Sequence, residues 1–196
     1  MNAAKWAVRC MGAALLVAVA MAGTAGAVPL VYEGQLLDGV TAYGDVPYRC
    51  RSNSALWDYW WFYGLAGDVA TVTLDRTNSQ MDPCVILYQG LGTTTDGLAA
   101  PGTGNAELTY LAYNDDGGSD TPPGPYRNSL IAGYAIPSTG YYTIAAMDFF
   151  GDPTGPWTYG VTVTGSGGPV PEVPEPVTLA LLAAGAAAIG LARRRS

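Results

Sequence analysis

The sequence predicts an all-β fold, namely an antiparallel β-sandwich of about seven to nine strands with jelly-roll or Greek-key connections. Residues 28–164 lack any long helical period and consist of short apolar or alternating runs. Gly, Pro, Asn and Asp separate these runs at intervals of about ten residues, which is typical of a sandwich. One domain of ordinary size is therefore expected at residues 28–164.

Alternation is the main argument for each strand. In residues 68–75, Ala70, Val72 and Leu74 take the inward positions, and residues 157–164 alternate in the same way. Such a pattern indicates a strand with one face in the core and one in water. In chain order, the predicted strands cover residues 30–35, 57–63, 68–75, 84–88, 108–113, 129–136, 141–147 and 157–164.

The N-terminus has the layout of a signal peptide. Lys5 and Arg9 precede the apolar residues 11–22, and residues 25–27 form an A-x-A cleavage pattern. We therefore expect residues 1–27 to be a helical export signal and Val28 to begin the mature chain.

The C-terminus has the layout of a second targeting signal. A linker at residues 165–172 is followed at residues 173–196 by a Pro-Glu-Pro motif, an apolar segment at residues 177–192 and a basic end. The apolar segment, as a helix, would span about 24 Å, which is short for a transmembrane helix. The motif and basic end consist of Val173, Pro174, Glu175, Pro176, Arg193, Arg194 and Arg195.

This arrangement resembles the PEP-CTERM sorting signal of Gram-negative bacteria that make extracellular polysaccharide. The resemblance implies cleavage by a membrane protease of the exosortase type. It also implies an inner-membrane intermediate before release to the cell surface or extracellular matrix. The alternative is an ordinary C-terminal membrane anchor that remains uncut.

The charge of the central domain excludes several functions. Residues 28–164 contain fourteen acids and no lysine or histidine, with Arg49, Arg51, Arg76 and Arg127 as the only bases. Such a domain is a poor partner for a phosphate backbone, so we expect no nucleic-acid binding. Without histidine, Ser-His-Asp catalysis and the usual zinc sites are excluded.

Two kinds of site remain open for the acids and cysteines. A carboxylate-dependent glycosidase needs only two acids across a cleft, and Asp148 with Asp152 or Asp58 with Glu107 would provide them. No spacing singles out either pair, so we expect no enzyme activity. Export to an oxidising compartment favours a disulfide between Cys50 and Cys84, while two buried free thiols are the alternative.

Four segments in a fixed order resemble the bacterial pre-peptidase C-terminal domain. They are an aromatic strand ending in Gly-Asp (residues 60–68), an Asp-Pro strand (82–88), an Asn-Asp-Asp turn (111–118) and a Pro-x-x-Gly-Tyr-Tyr hairpin (136–144). The likeness covers residues 57–164 and implies a jelly-roll-like sandwich of the kind appended to secreted enzymes. We expect no enzyme domain beside it.

The aromatic strand offers a candidate glycan platform. Successive side chains alternate, so part of residues 57–63 must face away from the core. The outward rings would either pack under loops or stack on a sugar ring. The platform residues are Trp57, Tyr59, Trp61 and Tyr63.

An acidic turn offers a candidate calcium site. Ca²⁺ takes six to eight oxygen ligands, which a Gly-bearing acidic loop can supply. The alternative is a β-turn in which Asn and Asp accept hydrogen bonds from backbone amides. The candidate ligands are Asn114, Asp115, Asp116 and Asp120, with Asp82 or Asp148 as helpers.

Three functions are compatible with these features. The leading hypothesis is a non-catalytic exported surface or matrix protein that associates with exopolysaccharide or the cell envelope, assisted by calcium. A passive structural spacer and a cryptic glycosidase are the alternatives.

Overall fold

The computed structural model describes residues 27–47, 49–150 and 155–166. The predicted signal peptide up to residue 26, the sorting signal and its apolar segment lie outside these residues. Within the described part of the chain, no helix is both long and apolar enough to cross a membrane.

The described residues contain nine strands and two short 3-10 turns. The turns are Cys50–Ser52 and Ser54–Leu56. The strands are β1 Tyr32–Gln35, β2 Ala42–Val46, β3 Asp58–Gly64, β4 Val69–Arg76, β5 Pro83–Gln89, β6 Thr109–Asn114, β7 Ser129–Ala135, β8 Gly140–Asp148 and β9 Trp157–Thr164.

Two sheets form the predicted sandwich. One has the order β1-β3-β8-β5-β6 and the other the order β2-β9-β4-β7. From β2 onward, consecutive strands alternate between the sheets except at β5–β6, which is the jelly-roll-like character expected. Two details differ from the prediction. β1 pairs with β3 in parallel, and Ala42–Val46 forms an edge strand against β9, although its Gly and Asp resemble turn residues.

The core lies between the two sheets. Ala70, Val72 and Leu74 on β4 are fully buried, as their alternation predicts. Opposite them, the Phe62 and Tyr142 rings stack at 5.3 Å between neighbouring strands of the larger sheet. The inner face of each sheet is therefore apolar and well packed.

A second layer covers part of the outer face of the larger sheet. Residues 90–108 form a long loop in which Leu98 and Leu108 are buried. An added Cβ at Gly102 would lie 3.0 Å from the Ile86 side chain, so the loop packs directly on β5. As a result, residues 83–88 of β5 are buried on both faces. This covering decides which outward side chains remain accessible.

Candidate functional site

The outward aromatic side chains of β3 divide into a covered group and an accessible group. Trp57 donates a hydrogen bond from Nε1 to the Cys50 carbonyl at 2.7 Å, and the Tyr59 hydroxyl donates to the Ser54 carbonyl at 2.9 Å. Both rings are buried beneath the 3-10 turns. Trp57 and Tyr59 therefore cannot form the predicted glycan platform, because the turns occupy the face that a sugar would need.

The accessible group lies at the other end of the same face. Trp61 and Tyr63 are half-buried and meet Tyr141 of β8 edge to face, with ring centroids 5.6 and 5.2 Å apart. We call Trp61, Tyr63 and Tyr141 the aromatic cluster. Edge-to-face contact holds the rings in a fixed arrangement. Tyr141 was not part of the predicted platform, because only the pairing of β3 with β8 places it between the other two rings.

The predicted calcium residues do not converge on one point. The Asn114 Oδ1 accepts the Gly117 N–H at 2.6 Å, and the Asp115 carboxylate accepts the Tyr113 hydroxyl at 2.9 Å. Asp120 forms an ion pair with Arg76 at 2.9 Å. Asn114, Asp115 and Asp120 thus each have a protein donor, so the set of four is not assembled as predicted.

The proposed helper residues lie beside this turn. Asp148 is fully buried, and its two oxygens accept the N–H groups of Arg49 and Asp82 at 2.8 and 2.9 Å. Burial, followed by the negative charges of Asp116, Asp148 and Asp115, raises the pKa of Asp82 to about 7. No three metal-ligating side chains of the described residues lie close enough to hold one ion.

The predicted disulfide is absent, because Cys50 and Cys84 are both buried free thiols. The Cys50 Sγ accepts the Asp148 N–H at 3.3 Å, and Cys84 is hydrogen-bonded to the Tyr113 hydroxyl. Burial raises the pKa of Cys50 to about 12 and also raises that of Cys84. Each sulfur thus has its own polar partner, and neither forms the thiolate that thiol exchange requires.

Of the two candidate carboxylate pairs, only Asp58 with Glu107 lies wholly within the described residues. Asp148 is committed to backbone amides, and Asp152 lies outside the described residues. The Glu107 carboxylate accepts hydrogen bonds from the Thr93 N–H and hydroxyl groups, whereas Asp58 accepts the Tyr159 hydroxyl at 2.6 Å. Asp58 and Glu107 are thus held by different parts of the fold.

An acidic pocket that the sequence did not predict surrounds Asp58. Its cavity of about 320 Å³ is lined by Trp57, Leu56 and three acids, Glu33, Asp45 and Asp58. Burial raises the pKa of Asp58 to about 6, the Tyr159 hydrogen bond lowers it, and the charges of the other two acids raise it. The three acids come from β1, β2 and β3, so no local motif connects them.

Comparison with known proteins supports the fold. No known family and no curated protein matches the sequence. Among solved structures, the chain is similar to CorA of Methylomicrobium album BG8, a surface-associated copper-binding protein important in copper acquisition. The TM-score is 0.50 at 15% identity, over 69% of this chain and 98% of that one.

Two other solved structures are similar at lower scores. One is the pre-peptidase C-terminal domain of collagenase from Bacillus anthracis, with a TM-score of 0.43, 14% identity and coverage of 68% and 97% of the two chains. The other is the secreted copper-binding protein MopE of Methylococcus capsulatus, with values of 0.43, 12%, 71% and 92%. At 15% identity, the similarity to CorA shows the fold alone, and the function has to be argued from the site.

Proposed function

We propose that the chain is an exported, non-catalytic binding protein that contacts exopolysaccharide through the aromatic cluster. The observation that carries this proposal is the half-buried state of Trp61, Tyr63 and Tyr141, which lie side by side on a sheet face that is covered in part. The C–H groups of a sugar ring are apolar and pack against aromatic rings, while its hydroxyl groups stay in water. A contiguous group of accessible aromatic rings is typical of a binding surface.

We also propose that calcium stabilises the acidic turn at residues 114–120. Burial raises the pKa of Asp82 most, and repulsion by the charges of Asp116, Asp148 and Asp115 adds to this effect. A bound cation would offset this repulsion and stabilise the end of the sheet from which the turn projects. No three metal-ligating side chains of the described residues lie close enough to hold one ion, so the cation would be held loosely by one or two of these carboxylates at a time. Asn114 and Asp120 are engaged in the protein contacts already described.

Co-sedimentation with polysaccharide tests the binding surface. The full-length chain should pellet with exopolysaccharide from the producing organism, and Trp61→Ala should weaken binding about tenfold, since aromatic contacts contribute roughly 1 kcal/mol or more. The control is Tyr43→Ala, which removes a ring that is 72% exposed on the smaller sheet. Calcium and chelator arms show whether the ion is needed. Equal binding by Trp61→Ala and Tyr43→Ala would contradict the assigned surface.

We further propose that the C-terminal signal is read by an exosortase-type protease. In cells that possess such a protease, Glu175→Ala should leave the C-terminal tail attached, because the motif would lose its only charged residue. The matched control is Glu172→Ala, which removes a carboxylate just upstream of the motif. Intact-mass measurement of the exported chain distinguishes the two. A tail removed from Glu175→Ala as efficiently as from wild type would argue for an uncut anchor or another signal.

Two alternatives make different predictions. A passive spacer would not pellet with polysaccharide in either buffer. The glycosidase alternative has one observation in its favour, because Asp58 has a pKa of about 6 in a pocket with Glu33 and Asp45. The glycosidase alternative would be established if the wild-type protein released reducing sugar from the polysaccharide and Asp58→Asn did not. In this structure the Asp58 carboxylate accepts a hydrogen bond from Tyr159.

A further inference from the structure

A cationic and aromatic patch occurs at the opposite end of β8 from the aromatic cluster. It consists of Arg49, Arg51, Phe149 and Phe150, and we call it the Arg–Phe patch. The Arg51 Cζ lies 3.9 Å from the Phe149 ring centroid and 5.4 Å from that of Phe150, while the Arg49 Cζ lies 5.5 Å from that of Phe150. Phe150 is 49% exposed. The two rings meet edge to face at 5.1 Å.

Arg51 differs from two other arginines of the domain in how its guanidinium is held. Arg76 is buried and paired with Asp120, and Arg127 donates two hydrogen bonds to the Gly118 carbonyl. Among the described residues, Arg51 contacts the two phenylalanine rings and takes part in no ion pair or side-chain hydrogen bond. Stacking on a ring fixes the guanidinium plane, so its N–H edge is oriented for an incoming group.

This arrangement suits an oxyanion attached to a ring. A guanidinium binds a carboxylate through two parallel N–H···O bonds, and the exposed Phe150 ring offers an apolar surface beside it. The position is also notable electrostatically, since two of the four arginines available to a domain with fourteen acids lie here. A polymer that is itself negatively charged would be repelled by most of the domain and attracted at this point.

We infer that the Arg–Phe patch binds the carboxylate of an acidic sugar in the polysaccharide. Arg51 would pair with the carboxylate while Phe150 packs against the sugar ring. This inference rests on the proposed function and narrows its ligand to a uronate-containing glycan. From Tyr141 to Asp148 the strand runs about 23 Å, which is the distance that a polymer in contact with both the aromatic cluster and the patch would have to span.

Affinity measurements on three polymers test the inference. The full-length chain is titrated with polygalacturonate, with a neutral glucan and with dextran sulfate. We expect Arg51→Gln to weaken polygalacturonate binding about tenfold or more, as for loss of a charge-assisted hydrogen-bond pair, and to leave the neutral glucan unaffected. Arg51→Lys, which keeps the charge without the two-pronged geometry, should fall between Arg51→Gln and wild type. Arg127→Gln is the control for the change in net charge.

The outcomes separate this inference from the function on which it rests. Wild-type binding to neutral glucan but not to polygalacturonate would overturn the patch assignment and leave the aromatic cluster standing. Binding to neither would overturn both. Preference for dextran sulfate would replace the carboxylate by a sulfate. Equal effects of Arg51→Gln and Arg127→Gln would show that only net charge matters. If Arg51→Gln lost binding to all three polymers and also had a lower melting temperature, Arg51 would have a structural role. Either result would overturn the inference.

Discussion

Replacing Gly90 with alanine is expected to lower the free energy of unfolding by about 3 to 5 kcal/mol, as for a backbone clash in a covered region. Gly90 has a φ of +109°, and a Cβ there would lie 2.2 Å from the backbone oxygen of Glu107. The residue cannot move aside easily, because its N–H donates to Tyr141 and its carbonyl accepts the Thr143 hydroxyl. The substitution would therefore push the loop at residues 90–108 away from the sheet.

Gly67→Ala is the matched control for this change. Gly67 has a similar φ of +91°, but a Cβ there meets nothing within 4 Å. Its substitution should cost about 1 kcal/mol, which is the backbone strain alone. Urea denaturation of both variants isolates the steric contribution as the difference between them. If both variants lost the same free energy of unfolding, the loop at residues 90–108 would be able to move away from Gly90 without an energetic cost. That result would contradict the tight packing of this loop on β5.

Tyr159→Phe is expected to cost about 2 to 3 kcal/mol at pH 8, as for removal of a buried group that serves two partners. The Tyr159 hydroxyl accepts a hydrogen bond from the Trp60 Nε1 at 2.9 Å and donates one to Asp58 at 2.6 Å. Trp60 is buried, so its N–H would be left without a partner. This network links β9 of one sheet to β3 of the other, and its loss should also loosen the acidic pocket.

The cost should depend on pH in a defined direction. The folded pKa of Asp58, about 6, lies above its ordinary value, so ionisation of Asp58 destabilises the fold as the pH rises from about 4 through about 6. The Tyr159 hydrogen bond lowers this pKa, and Tyr159→Phe would raise it further. The variant should therefore lose more stability relative to wild type at pH 8 than at pH 5. In an Asp58→Asn background the difference should no longer vary with pH.

Tyr88→Phe provides the control for loss of a buried hydroxyl. Tyr88 is fully buried, and its Oη has no hydrogen-bond partner among the described residues. Removing that oxygen should be neutral or slightly stabilising, since an unpaired polar atom in the core carries a desolvation cost. Denaturation curves of the two variants at pH 5 and pH 8 test the argument. A Tyr88→Phe loss as large as that of Tyr159→Phe would contradict the role given to the network.

Local pattern was sufficient for most of the strands. The buried positions of β4 and the stretch at residues 157–164 follow from alternation, because side chains on a strand point to opposite faces at every step. The same rule correctly placed part of the aromatic strand outside the core. Alternation failed for β2, whose Gly44 and Asp45 are unfavourable in strands and whose pairing with β9 is decided by a distant segment.

The sites depended on contacts that no local pattern contains. Alternation treats Tyr59 and Trp61 as equivalent, yet the 3-10 turns bury only the first. Asp58 meets Tyr159 across 101 residues of sequence, and Arg51 meets Phe149 only after β8 has brought its end beside the turn at Cys50–Ser52.

The amino-acid sequence by itself determined the all-β class, the strand alternation and the absence of lysine and histidine from the central domain, because these depend on residue type and spacing alone. The tertiary structure decided which aromatic side chains stay accessible. It also decided that Asn114, Asp115 and Asp120 accept hydrogen bonds from protein donors, and that Arg51 lies over the Phe149 ring. These features depend on which distant segments cover a surface, and that is set by packing of the whole chain.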